Sequence, residues 1–277
     1  MKIAYTSDTH YGFSSKTHKI HVSFLKESSD ICISENVDLI IHCGDWISHN
    51  QHQLPRTWKM FREAFGDLPI LAVKGNHDLW DYDYWGVHPK RRSYAKHPSG
   101  MSYSTLVTQH RDWANEFGIT LLQDNYFEKD DVIITGFDGW YSGTDTGTND
   151  ASFMFPYHES CPISPFLSSQ AYKCLDNAIN LVNQDKYSNF KKICVTHHPP
   201  YSKNPAYLKM CANPNYLKHI TTSFDYLFVG HSHQTEDWIN EEVVGNEVFS
   251  CRVLNPGTDF DKNNHGYDNP RLGIIEI

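Results

Sequence analysis

Short apolar runs alternate with longer mixed segments along this chain. Lys2–Thr6 is apolar-leaning and ends in a polar loop, which predicts a strand. From His18 to Asn36 the apolar residues Ile20, Phe24, Leu25, Ile31 and Cys32 recur at roughly helical spacing. Val37–His42 is a second buried strand, Thr57–Phe65 a helix with Gly66 as its cap, and Pro69–Lys74 a third strand. This β-α-β-α-β order predicts parallel strands joined by crossover helices. The second half is less regular. Val132–Thr135, Lys192–Thr196, Tyr226–Val229 and Val248–Leu254 read as strands, and Leu167–Val182 as a helix. Asp78–Gly100 and Tyr141–Pro165 show no period and read as long loops near the mouth of any site.

Polar residues of one chemical kind follow the strands. They are Asp8-Thr9-His10, Gly44-Asp45, Gly75-Asn76-His77-Asp78, Thr196-His197-His198-Pro199-Pro200 and Gly230-His231-Ser232-His233. In an open α/β sheet, sites form at the carboxyl ends of strands, so these segments can meet at one edge. Their imidazole, carboxylate and amide groups suit Mn, Fe, Zn or Ni better than Ca. Gly44 and Gly75 allow close backbone approach. His231 and His233 would point the same way in an extended segment; a turn there would split them between neighbouring metals.

Composition bounds the reading. The 277 residues fit one domain, 1–277, with 39% apolar and 21% charged residues. A net charge of −9 argues against a protein that neutralises phosphates along a duplex. It leaves a small phosphoester substrate open, because bound cations reverse the local field. Seven cysteines occur with no C-x-x-C pair, which points to free thiols in a reducing compartment. The first motif begins at Asp8, leaving no room for a signal peptide, and no apolar run approaches a membrane span. A cytoplasmic protein without a membrane partner is expected.

The five motifs, in this order, resemble the calcineurin-like metallophosphoesterase superfamily, whose signature reads D-x-H, G-D, G-N-H-[DE], H, G-H-x-H. They span Asp8 to His233, and Asn255-Pro256-Gly257-Thr258 is similar to a loop many bacterial members carry after the last motif. The resemblance implies an α/β fold in which two mixed β-sheets pack as an α/β/β/α sandwich. It implies two divalent metal ions, Mn or Fe foremost, with Zn, Ni or Mg as further candidates. Asp8, His10 and His233 would complete the first, Asn76, His197 and His231 the second, and Asp45 would bridge them. A hydroxide held between the ions would attack phosphorus. His77 would bind phosphate or protonate the leaving group, with the adjacent Asp78 orienting it. His198 and His49 read as substrate contacts, against the plainer reading of each as a neighbour of a ligand or a loop residue. His18, His21, His110 and His219 read as solvated, and His42 as a satisfied group beside the site.

Departures from subfamily patterns narrow the branch. Protein Ser/Thr phosphatases of this superfamily carry G-D-x-x-D-R-G and R-G-N-H-E; here Trp46-Ile47-Ser48 follows Asp45, Lys74 replaces the arginine and Asp78 the glutamate. Purple acid phosphatases need a tyrosine where Ser48 stands. A phosphodiesterase acting on a small phosphodiester remains. The alternatives are a phosphomonoesterase, or a nuclease on short or single-stranded nucleic acid served by Lys90, Arg91, Arg92 and Tyr94. A metal-binding interaction scaffold is the reading from another class.

Overall fold

The computed structural model describes residues 1–12, 15–48, 53–79, 103–140, 163–203, 211–260 and 268–277. His49 and the Lys90–Tyr94 cluster lie outside them, as do most of the two segments read as long loops.

The first sheet has the order β13-β1-β2-β3-β4. Its strands are β1 (Lys2–Thr6), β2 (Leu39–His42), β3 (Ile70–Ala72), β4 (Ile119–Leu121) and β13 (Gly273–Glu276). β1 to β4 run parallel, and β13 pairs antiparallel with β1. The second sheet is ordered β5-β6-β7-β8-β10-β9. It comprises β5 (Phe127–Lys129), β6 (Val132–Phe137), β7 (Lys191–Thr196), β8 (Tyr226–Phe228), β9 (Glu236–Val244) and β10 (Glu247–Asn255). β11 (Thr258–Phe260) and β12 (Asp268–Pro270) form a separate ribbon.

Period-2 burial on both faces builds four layers. Ile3, Leu39, Ile41 and Leu71 of the first sheet meet Ile134, Ile193, Val195 and Phe228 of the second in one core. Ala4, Ile40, Ile70 and Ala72 point the other way, into a core with Leu25, Trp58, Phe61 and Phe65. These come from α1 (Ser15–Ser34) and α2 (Leu54–Phe65), flanked by α3 (Tyr103–Glu116). Ile133, Cys194, Leu227 and Cys251 pack against Leu175, Ala178, Tyr216 and Ile220, from α4 (Ile163–Val182) and α5 (Asn215–Thr221). The two mixed sheets with outer helices match the sandwich expected of the metallophosphoesterase fold.

Local chemistry sets the ends. α2 has Pro55 in its first turn and stops at Gly66, φ 57°, whose N–H bonds to the Arg62 carbonyl. The Arg62 guanidinium donates to the carbonyls of Gly66, Leu68, Phe117 and Gly118, tying the ends of α2 and α3 together. No helix among the described residues is long and apolar enough to cross a membrane.

The expected strands and helices occur within a few residues of their boundaries, but α3, α5, β4, β5, β9 and β11–β13 do not follow from periodicity. Three-residue strands are too short to display a period, and β9 is polar and largely exposed.

Two histidines read as solvated are buried. His21 is 3% exposed with Nε2 against the Thr9 carbonyl, and His110 is 0% exposed between the rings of Trp58 and Trp113. Burial, then the Lys74 charge, holds the His110 imidazole well below its ordinary value. In the unfolded chain it returns to about 6.5. Below that pH the unfolded state takes up a proton the folded state refuses, so stability falls as pH drops through about 6.5. Thermal or urea unfolding between about pH 7.5 and 5.5 should show a shallower pH slope for His110→Phe than for wild type, by about one proton. Equal slopes would remove His110 from the account.

Candidate metal centre

Every candidate ligand sits just past a strand that points its carboxyl end at one edge. Asp8 and His10 follow β1, Asp45 follows β2, Asn76 follows β3, His197 follows β7, and His231 and His233 follow β8. The first sheet thus supplies four of the seven and the second sheet three.

The backbone is unusual at these positions. Asp8, His10, Asp45, His231 and His233 all have φ between 43° and 66°, in the left-handed region. Each such residue costs on the order of 1–3 kcal/mol and persists only where surrounding structure holds it. The holding contacts are visible. His231 N–H donates to both Asp8 carboxylate oxygens, at 3.1 and 2.9 Å. His10 N–H donates to the Asp45 carbonyl. Gly44 and Gly75 permit the close approach: a Cβ on Gly75 would lie 2.0 Å from Asp45 Oδ1, and one on Gly44 2.7 Å from His197 Nδ1. The left-handed turns also divide the last motif. His233 lies with Asp8 and His10, and His231 with His197 and His198.

Donor atoms converge. His10 Nε2 is 3.1 Å from His233 Nε2, and His233 Nε2 is 3.3 Å from Asp8 Oδ1. Asp45 Oδ2 is 3.7 Å from His10 Nε2 and 3.4 Å from His197 Nε2. His197 Nε2 also lies 3.0 Å from Asn76 Oδ1. Asp45 therefore stands between the two clusters, where a bridging carboxylate belongs.

The donor set fits divalent cations. His197 Nδ1 faces the Cys43 carbonyl at 2.8 Å, so its Nδ1–H belongs there and Nε2 is the atom left for a cation, the usual arrangement behind a ligating histidine. Burial, then the His77 charge, holds His10 down at about 3; burial and neighbouring imidazoles keep His231 well below its ordinary value. Burial thus favours the neutral form of both rings, the form a ligand needs. Burial opposes charge on Asp8, yet His233 and the other imidazoles hold its carboxyl well below the usual range. His197 differs: burial opposes its charge, but Asp45 and Asp8 outweigh it and raise it to about 9. Carboxylates that draw a proton onto a buried imidazole mark a place that attracts positive charge.

His77 lies on the open side. Its ring packs edge-on to His10 at 4.5 Å, its Nε2 is 3.9 Å from Asp45 Oδ2, and its side chain is 20% exposed. Its Nδ1 faces the Ser48 carbonyl at 2.6 Å. That corrects the role expected of Asp78. The Asp78 carboxylate accepts from the backbone N–H of Trp46, Ile47 and Gly75. It clamps the Gly44-Asp45 loop to the Gly75-Asn76 loop, while Ser48 orients His77. Burial, then the Asp45 charge, pushes the Asp78 carboxyl up to about 8. His198 is buried, with its ring 4.5 Å from His231 and 5.1 Å from Trp140.

Four further residues support the loops; sequence reasoning placed His42 beside the site and Asn255 in a loop after the last motif, but passed over the pairing of Lys74 with Asp138. His42 stacks on Trp46 at 3.5 Å, accepts from Gly44 N–H, and lies 3.1 Å from Thr9 Oγ1, so it joins the first two motif loops. Asn255 donates to the Gly230 carbonyl and to Ser232 Oγ, pinning the last motif. Lys74 and Asp138 form a buried pair, 3.2 Å apart. The only signal for that pair was a charge at the end of each of two apolar runs.

Comparison with known proteins agrees. The family model for calcineurin-like phosphoesterases matches residues 1–235. No curated protein sequence matches. Among solved structures, a hypothetical protein from Thermus thermophilus is similar at 11% identity and TM-score 0.41, over 93% of this chain and 76% of that one. The NAD nucleotidase NadN of Haemophilus influenzae is similar at 12% identity and TM-score 0.47; this chain, covered in full, spans 49% of the nucleotidase. With its motif loops gathered into overlapping clusters of histidine and aspartate and the family model covering most of its length, the chain belongs to the calcineurin-like phosphoesterase family and is a metal-dependent phosphoester hydrolase.

Proposed function

We propose that the enzyme is a phosphodiesterase acting on a small phosphodiester. The observation that carries this reading is the charge around the centre. Across the motif loops 7–11, 42–48, 74–79, 196–198 and 230–235, Lys74 is the one lysine or arginine, and its ammonium faces Asp138. A monoester brings about −1.5 to −2 charges at neutral pH, and these loops offer no second ammonium or guanidinium to meet the extra charge. A diester brings one.

Asp8, His10 and His233 would hold one cation, Asn76, His197 and His231 the other, and Asp45 both. Bound there, two cations would polarise the phosphoryl group and supply a nucleophile at neutral pH. The mixed nitrogen and oxygen donors suit Mn, Fe, Zn or Ni better than Ca, and the family resemblance puts Mn²⁺ or Fe²⁺ first. The protein's own residues do the rest. His10, His77 and His233, the partly exposed members with side chains 16%, 20% and 32% exposed, border the approach for substrate. His77 gives its Nδ1–H to the Ser48 carbonyl, which leaves Nε2 beside the donor clusters, 3.9 Å from Asp45 Oδ2. From there, protonated, it delivers a proton to the departing alkoxide. Buried His198 backs His231 and shapes the floor. Cys32, Cys43, Cys174, Cys194, Cys211 and Cys251 are free thiols, which supports a reducing, cytoplasmic setting.

The test compares bis-p-nitrophenyl phosphate with p-nitrophenyl phosphate, using chelator-stripped protein and metals added back singly. Diester turnover that returns with Mn²⁺ or Fe²⁺ is the expected result. Monoester preference would overturn the phosphodiesterase reading. Cleavage of single-stranded oligonucleotides alone would make the enzyme a nuclease, and binding without turnover a scaffold.

A further inference from the structure

The second cation position draws its ligands from both sheets. Asn76 follows β3 in one, and His197 and His231 follow β7 and β8 in the other. Neither sheet by itself determines the gap between them. One buried residue spans it. The Asp138 carboxylate accepts from Lys74 N–H at 2.9 Å and lies 3.2 Å from Lys74 Nζ, two residues before Asn76. With its amide nitrogen assigned toward Asp138, the orientation that gives both groups partners, Gln123 donates to the same carboxylate. At the other end of the same residue, the Asp138 carbonyl accepts from His197 N–H at 3.2 Å and His198 N–H at 3.4 Å. The chain beyond it is packed tightly: a Cβ on Gly139 would lie 2.5 Å from Thr196 Oγ1.

We propose that Asp138, paired with Lys74, is the positioning residue that sets Asn76 against His197 and so builds the second cation position. The proposal rests on the two-cation reading above. It accounts for an ionic pair in the interior, where an apolar pair of similar volume is often as stabilising or more so. An apolar pair would fill the space but would not hold the Lys74 backbone to the β6 end by hydrogen bonds.

The experiment titrates metal-stripped full-length protein with Mn²⁺, following both equivalents by calorimetry and the exchange-coupled pair by electron paramagnetic resonance. The proteins are wild type, Asp138→Asn and the apolar double variant Lys74→Met/Asp138→Leu, each with a thermal melt. The expected result is a second equivalent weakened about 10–100-fold in both variants, with the first within about threefold of wild type. The coupled signal should fade while the single-ion signal stays, even where the double variant melts like wild type. A double variant that regains both fold and second-equivalent affinity would show the pair to be a stability element and overturn the proposal. So would equal weakening of both equivalents in Asp138→Asn. A wild-type protein that takes up one equivalent sinks the two-cation reading, which the variants alone cannot do.

Discussion

Asp45→Asn is expected to cut metal-dependent phosphoester turnover by at least ~10³-fold, because several kcal/mol of transition-state stabilisation depend on the charge it carries. Asp45 Oδ2 lies within 3.9 Å of His10, His197 and His77 Nε2 atoms, so it faces both clusters at once. Asparagine keeps the shape and keeps an oxygen for the His77 N–H, which now bonds to Oδ1 at 2.9 Å. It removes the negative charge that two cations would share. It also tolerates the left-handed backbone at this position, φ 56°, better than most residues. Fold and catalysis should therefore separate: circular dichroism and the melt of the metal-stripped protein stay near wild type while turnover with Mn²⁺ disappears. A purified variant working at the wild-type rate would falsify Asp45 as the shared ligand.

His77→Ala is expected to slow the reaction about 10²–10⁴-fold and leave both cations bound. His77 borders the donor clusters from the open side, and the Ser48 carbonyl fixes which nitrogen it presents. A group that protonates the leaving oxygen matters more as that oxygen becomes more basic. The loss should thus be larger for an alkyl phosphodiester than for bis-p-nitrophenyl phosphate, whose leaving group needs little proton help. Metal analysis showing an emptied centre, or equal losses on both substrates, would recast His77 as a ligand or as a phosphate contact.

Several readings from sequence and the structure converge for a simple reason. Strand-forming runs that bury both faces are apolar throughout, so a polar residue directly after one marks the sheet edge. Asp8, Asp45, Asn76, His197 and His231 were legible that way. His110 and His21 were not, because a histidine in a mixed helical stretch has no local mark of burial; Trp58 and the Thr9 carbonyl reach them from elsewhere in the chain. Adjacency misled at Asp78, whose carboxylate turns back onto the N–H groups of Gly75, Trp46 and Ile47 and away from the next side chain.

The sequence by itself determined the donor types, their order along the chain, the strands that carry them and the family they signal, since all of these are written in local pattern and spacing. The tertiary structure decided which donors share a cluster, which histidine Ser48 orients, and how His231 and His233 part company. Those outcomes depend on left-handed backbone at five candidate ligand positions and, on the proposal above, on the Lys74–Asp138 contact between two sheets. Both are held by hydrogen bonds between residues far apart in the chain, and no window of neighbouring residues contains them.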